Sequence, residues 1–234
     1  MAVPVLIITG PEGVGKTTTA LVAGDLLGEA GIPYGVVDLD GLTLCYPPPA
    51  DDPFNSRAAD GVTDVTDGRA RCRWAEAHPL LRDYHDREYG TRPATDAALF
   101  ELLTLEVFQA GLSWLTILKE REGFRRAFEE FDPAAVASYG ECERTRLMAD
   151  PEIVRNGAKI EATIHNARVV QRLAAEHGSF AAWLDAQGQL AKPEWVELFK
   201  RTFRFTGGEI TGEFLMSAGY LPIAHDAGCW KAGS

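Results

Sequence analysis

Cysteine, basic charge and long apolar runs are all scarce in this 234-residue sequence, and each shortage narrows what the chain can be. Only four cysteines occur, Cys45, Cys72, Cys142 and Cys229. They are too few and too scattered for a disulfide scaffold in a chain long enough to bury its own core. No apolar run approaches the roughly 18 residues that mark a membrane span. The opening MAVPVLIITG lacks the basic stretch of a secretory signal and runs straight into a glycine-rich turn, so a cytoplasmic location is expected. Glycine and proline follow no period, which excludes collagen, and 46% apolar residues exclude general disorder. Basic side chains number 23 against 34 acidic, a net charge of -11. Duplex phosphates repel such a chain unless the acidity is unevenly placed. It is uneven: residues 1–70 hold 10 acidic and 3 basic groups, whereas residues 71–234 hold 24 and 20. The second part is close to balance and can carry a local phosphate-binding face.

The chain divides in the same place. Residues 5–9 are apolar and β-branched, 16–29 have helical spacing, and 34–39 are apolar again, which predicts strand, helix, strand. Between the first two lies GPEGVGKT at 10–17, a G-x-x-x-x-G-K-[ST] pattern placed where backbone amides can cradle phosphate. The segment resembles the P-loop nucleotide-binding superfamily, its kinase-like members in particular. That resemblance implies a loop shaped by Gly10 and Gly15, Lys16 on the β/γ phosphates of ATP, and Thr17 on Mg2+. A single unit of this kind cannot cover both faces of a doubly wound sheet, and no later strand ends in a second acidic element. Residues 1–46 are therefore expected to be a partial α/β P-loop segment, vestigial in function, with a working kinase or ATPase as the alternative. Residues 47–70, rich in Pro, Asp and Gly, read as a linker.

From Arg71 onward the apolar period becomes helical. Helices are expected over 95–111, 113–121, 123–130, 133–138, 141–148, 158–176, 180–185, 195–203 and 208–218. In the clearest of them Ile160, Ile164, Ala167, Val170 and Leu173 form one stripe. The expected fold class is thus mainly α over 71–234, preceded by the partial α/β segment.

Seven motifs carry a more specific likeness: RCRW at 71–74, YHDREYG at 84–90, LFELLTLEVFQAGLSWLTILKERE at 99–122, FDP at 131–133, IVRNGAKIEATIHNAR at 153–168, FRFTG at 203–207 and HDAGC at 225–229. Together they resemble the DNA-3-methyladenine glycosylase I family, over residues 71–230. The resemblance implies a helical member of the helix-hairpin-helix glycosylase superfamily acting on double-stranded DNA that contains alkylated adenine; the number of subunits is left open by the sequence, a monomer being the preferred expectation. It implies monofunctional hydrolysis of the N-glycosidic bond of 3-methyladenine, leaving an abasic site; a catalytically inactive DNA-binding relative is the competing reading. By the family pattern Glu106 is the catalytic-site carboxylate that accepts hydrogen bonds from the flipped base. Trp114 stacks on the base, and Trp74 and Tyr84 supply further walls. Tyr89 stands where the family often has tryptophan. No lysine is placed for a Schiff base, so lyase activity is not expected.

Cys72 and His85 lie near the start of this region and His225 and Cys229 near its end. Two thiolates and two imidazoles suit tetrahedral zinc, and four protein ligands leave no open position for a reacting water. A structural Zn2+ is expected, in line with the resembled family's site. Arg155 and Lys159 flank Gly157 ahead of the long helix, where amides and two cations are expected to meet a DNA backbone phosphate. The connection over 184–202 is shorter than the resemblance leads one to expect.

Overall fold

The computed structural model describes residues 67–222 and 225–232. The P-loop-like segment, with Gly10, Gly15, Lys16 and Thr17, and the linker as far as residue 66 lie outside the described residues.

Among the described residues the protein is mainly α, with no strand. A 3-10 turn, Arg73–Ala77, leads into α1 (Pro79–Arg87). His78 caps α1, its Nδ1 accepting from the Leu80 amide at 3.1 Å, and Pro79 opens it with φ already set. α2 (Asp96–Gln109) starts at Thr95, whose hydroxyl accepts from the Ala98 amide. There follow α3 (Trp114–Ala127), α4 (Pro133–Ala137), α5 (Glu141–Ala149), α6 (Gly157–His177), α7 (Phe180–Ala186), α8 (Lys192–Thr202) and α9 (Gly208–Ser217).

α2 is apolar nearly all round and is buried accordingly, packed against α3, α4, α6, α7 and α9. On one side Phe108, Phe124, Phe128 and Phe131 stack with centroid spacings of 4.7 to 6.3 Å. On the other, Phe180, Phe199, Phe203 and Phe214 form a second aromatic group within the same core. These rings fix α2 along its length, so the buried side chains it carries are held rigidly. No helix among the described residues is long and apolar enough to cross a membrane.

Two sequence expectations change. α1 is not apparent from apolar spacing, because its buried residues are Leu81, Tyr84 and His85, and two of the three are polar types. The expected break at Gly123 does not occur, and 114–127 is one helix. Gly123 is needed for contact rather than termination: a Cβ there would lie 2.3 Å from the Glu152 carbonyl oxygen. Glycine inside a helix costs roughly 0.5–1 kcal/mol relative to alanine, less than forcing the 150–156 connection off α3.

Candidate functional site

Glu106 lies in the last turn of α2, 3% exposed, and makes no hydrogen bond or ion pair with the described residues. Burial, and after it the charge of Glu213, push its carboxyl pKa well above the ordinary value. Four aromatic residues pack together beside it. Tyr84, from α1, lies 5.1 Å from Trp114 and 6.0 Å from Tyr89, and Trp74 meets Tyr89 edge-on at 5.3 Å. Burial and then Glu106 raise the Tyr84 pKa, and both tyrosines feel the Glu106 charge. The Trp114 indole N–H is buried without an acceptor. An unpaired acceptor and an unpaired donor, both buried beside aromatic rings, suit a flat ligand with a polar edge.

The fold thus brings together Glu106, Trp74, Tyr84, Tyr89 and Trp114 from α1, α2, α3 and the turns flanking α1. It adds Glu213 of α9, which the sequence motifs do not single out. The one sequence signal for Glu213 is its helical spacing from Ser217, whose hydroxyl faces that of Tyr84. Surface cavities of about 440 and 410 Å3 lie elsewhere, one lined by Phe203, Phe205 and Ile210, the other by Arg71, Glu76 and Arg82. Neither contains an unpaired buried carboxylate. The chemistry favours the cluster around Glu106.

Beside this cluster, Cys72, His85, His225 and Cys229 place four donor atoms within 4.8 Å of one another. Cys72 Sγ is 3.3 Å and Cys229 Sγ 3.7 Å from His225 Nδ1, and Cys229 Sγ is 3.4 Å from His85 Nε2. A tetrahedron with metal–sulfur and metal–nitrogen bonds typical of zinc has edges of about 3.3–3.8 Å, so the donor set fits such an ion. His85 is oriented for the task, because its Nδ1 meets Asp86 Oδ1 at 2.9 Å and leaves Nε2 to the metal. Partial burial works to raise the Asp86 pKa, yet hydrogen bonds from Arg71 and His85 hold it well below the usual carboxylate range. Asp226 closes the ring of support: its amide donates to Cys72 Sγ, and its carboxylate accepts from the Arg73 amide at 2.7 Å. The two sites share walls, since the Trp74 ring lies 5.4 Å from His85 and Tyr89 5.7 Å from His225.

The residues expected to meet DNA separate. Arg155 and Gly157 are exposed at the start of α6, where Asn156 Oδ1 caps the helix by accepting from the Lys159 amide. Lys159 itself turns inward, which corrects its reading as a phosphate contact. It is 5% exposed, and its Nζ donates to the Phe108 and Ala110 carbonyls at 2.8 and 2.6 Å, capping the end of α2. Burial lowers its pKa to about 8. Lys159→Met should therefore lower stability by about 1–3 kcal/mol, the cost of leaving buried carbonyls unpaired. Thermal denaturation will show the loss, while the salt dependence of DNA binding should stay as in the parent, because no phosphate contact has been removed. A reduced salt slope would restore Lys159 to the DNA face. Arg146 and Arg168 are likewise committed, to the Ala127, Ala137 and Tyr139 carbonyls, and Arg144 pairs with Glu161.

Comparison with known proteins gives a consistent result. A family model described as methyladenine glycosylase matches residues 74–198. DNA-3-methyladenine glycosylase 1 of Escherichia coli is 35% identical over 178 residues, 68% of this chain and 95% of that protein. DNA-3-methyladenine glycosylase of Haemophilus influenzae is 41% identical over 98 residues, 42% of this chain and 53% of that protein. Among solved structures, a 3-methyladenine DNA glycosylase I superposes with a TM-score of 0.61 at 33% identity, covering 69% of this chain and 99% of that one. A Staphylococcus aureus structure described by its recognition of 3-methyladenine superposes with a TM-score of 0.58 at 30% identity, covering 68% and 93%.

Proposed function

Because the chain belongs to the methyladenine glycosylase family, we propose that the Glu106 cluster is where it receives a 3-methyladenine base turned out of duplex DNA. The protein hydrolyses the N-glycosidic bond of that base as a monofunctional DNA glycosylase. The observation that carries the site assignment is the pairing of an unpartnered buried carboxylate with an unpartnered indole N–H among aromatic rings.

The reaction asks little acid–base machinery of the protein. Alkylation at N3 makes the adenine ring cationic, so the glycosidic electron pair is drawn into the ring as the base departs. Water adds to the sugar C1′ and loses a proton to solvent; the base leaves neutral and an abasic site remains. Turning the base out costs a few kcal/mol, least for a damaged pair. Tyr84 and Trp114 offer ring faces to the cation, and Glu106 accepts from its polar edge. Unliganded, Glu106 is held toward its neutral form by burial and by Glu213. An incoming cation favours the ionised form, so binding strengthens where the positive charge is greatest.

Cys72, His85, His225 and Cys229, by this reading, hold structural zinc. With all four ligands from the protein, the metal supplies a cross-link between the ends of the domain rather than a reacting water. Arg155 and the exposed amides at Gly157 are the proposed backbone-phosphate contact.

Incubation of the protein with methylated duplex DNA and chromatography of the freed bases tests the function directly. Release of 3-methyladenine above the spontaneous rate, with abasic sites left uncleaved, is expected. Release no faster than in protein-free DNA would overturn the reading.

A further inference from the structure

α9 carries a stripe of residues at positions 209, 213 and 217, each four apart and therefore on one face of the helix. The stripe descends from solvent into the aromatic cluster. The Glu209 side chain is 90% exposed, Glu213 is half-buried, and Ser217 is buried against Tyr84. The Ser217 carbonyl accepts from the Gly90 amide at 2.9 Å, which pins this end of α9 to the segment bearing Tyr89. Glu213 thus stands one helical turn from the cluster, at its rim. Like Glu106 it makes no hydrogen bond or ion pair among the described residues.

The other charged groups nearby are already matched. Glu88, on the far side of Tyr84, receives both Arg121 guanidinium nitrogens at 2.7 and 2.8 Å. Lys192, the cation that acts on Glu213, lies 3.8 Å from Glu209 and lays its stem over Gly212. Glu106, at the base of the cluster, is left without a cation of the protein's own, and Glu213, at its rim, has only the influence of Lys192, which it shares with Glu209.

We propose that Glu213 is a specificity-determining residue, a second carboxylate that recognises the positive charge of the alkylated base and so rejects unmodified adenine. The inference rests on the base-pocket reading above. A hydrogen-bonding partner for the adenine edge cannot by itself distinguish a methylated base from a normal one, because both carry the same exocyclic amine. They differ in charge. A cation satisfies both carboxylates, whereas neutral adenine covers Glu213 without supplying a matching charge, which is discrimination by a penalty on the wrong ligand. The same arrangement releases product, since the freed base has lost the charge that held it. Burial raises the Glu106 pKa first, and the Glu213 charge adds to it, as expected where a second carboxylate stands near the same site.

The test compares a fixed cation, 3,9-dimethyladeninium, with neutral 3-methyladenine as ligands of the parent protein and of Glu213→Gln, by calorimetric titration. The variant should bind the cation about tenfold more weakly, the size of one charge-assisted contact, and the neutral base within about twofold of the parent. Single-turnover release of 3-methyladenine from DNA should fall by a similar factor. Glu209→Gln, one turn further out, should change neither. Equal weakening of both ligands, no weakening at all, or an equal loss in Glu209→Gln overturns the proposal. A parent protein that releases no 3-methyladenine overturns the base-pocket reading instead.

Discussion

Glu106→Gln should cut single-turnover release of 3-methyladenine by at least about a hundredfold, the scale seen when a preorganised electrostatic partner is removed from a closed site. The substitution keeps shape and polarity and removes only the capacity to become negative. Its fold should survive, and above the ordinary carboxyl pKa it should even be firmer. The parent carboxyl has a raised pKa, so between pH 4.5 and that raised value the folded state binds more protons than the unfolded one. Stability contributed by the protonated group is complete below 4.5 and is lost as pH rises through the folded pKa. Glutamine has no charged form to penalise, so the variant should lack this decline. Denaturant titrations at several pH values, together with release assays, separate the two effects. Release at the parental rate would remove Glu106 from the chemistry, whatever the stability data show.

Cys229→Ala should lose the metal and much of the domain's rigidity. Metal analysis of the purified variant should find well under one zinc per chain, and the thermal midpoint should fall by roughly 10 °C, corresponding to about 3 kcal/mol or more for a domain of this size. The reason is chain topology. Cys229 approaches His85 from 144 residues away, and Cys72 approaches His225 from 153. A cross-link closing a loop of that length removes on the order of 4–5 kcal/mol of chain entropy from the unfolded state. Base release should also fall, because Trp74 and Tyr89 pack on the ligand histidines as well as on one another. A strong chelator applied to the parent protein should reproduce both losses. Stoichiometric zinc in the variant would break the assigned ligand set.

Much of the helical part can be read directly from residue spacing. The stripe at 160, 164, 167, 170 and 173 predicts a helix over 158–176, and the structure has one at Gly157–His177, begun by an Asn156 cap. The motif residues Glu106 and Trp114 lie on either side of a helix end, so spacing alone does not bring them together; both gather around Tyr84 of α1. The same motif text misleads at Lys159. A lysine beside a glycine turn has the pattern of a phosphate contact, yet its four-carbon stem is long enough to reach back into the domain and cap α2. Gly123 misleads in the opposite sense, since a glycine that looks like a helix end is a contact point for another backbone.

The sequence alone determines the helical period of residues 71–234, the two thiolates and two imidazoles of the proposed metal set, and the carboxylate and aromatic types of the proposed base pocket. These depend on composition and local spacing, which a linear chain states outright. Tertiary structure decides which charges remain unpaired. Lys159 and Arg168 are used up by carbonyls of other segments, and Glu88 by Arg121, while Glu106 is left without a partner and within the influence of Glu213, from a helix more than a hundred residues away. Whether a charge is free depends on what the rest of the chain brings against it, and that is fixed only when the helices pack.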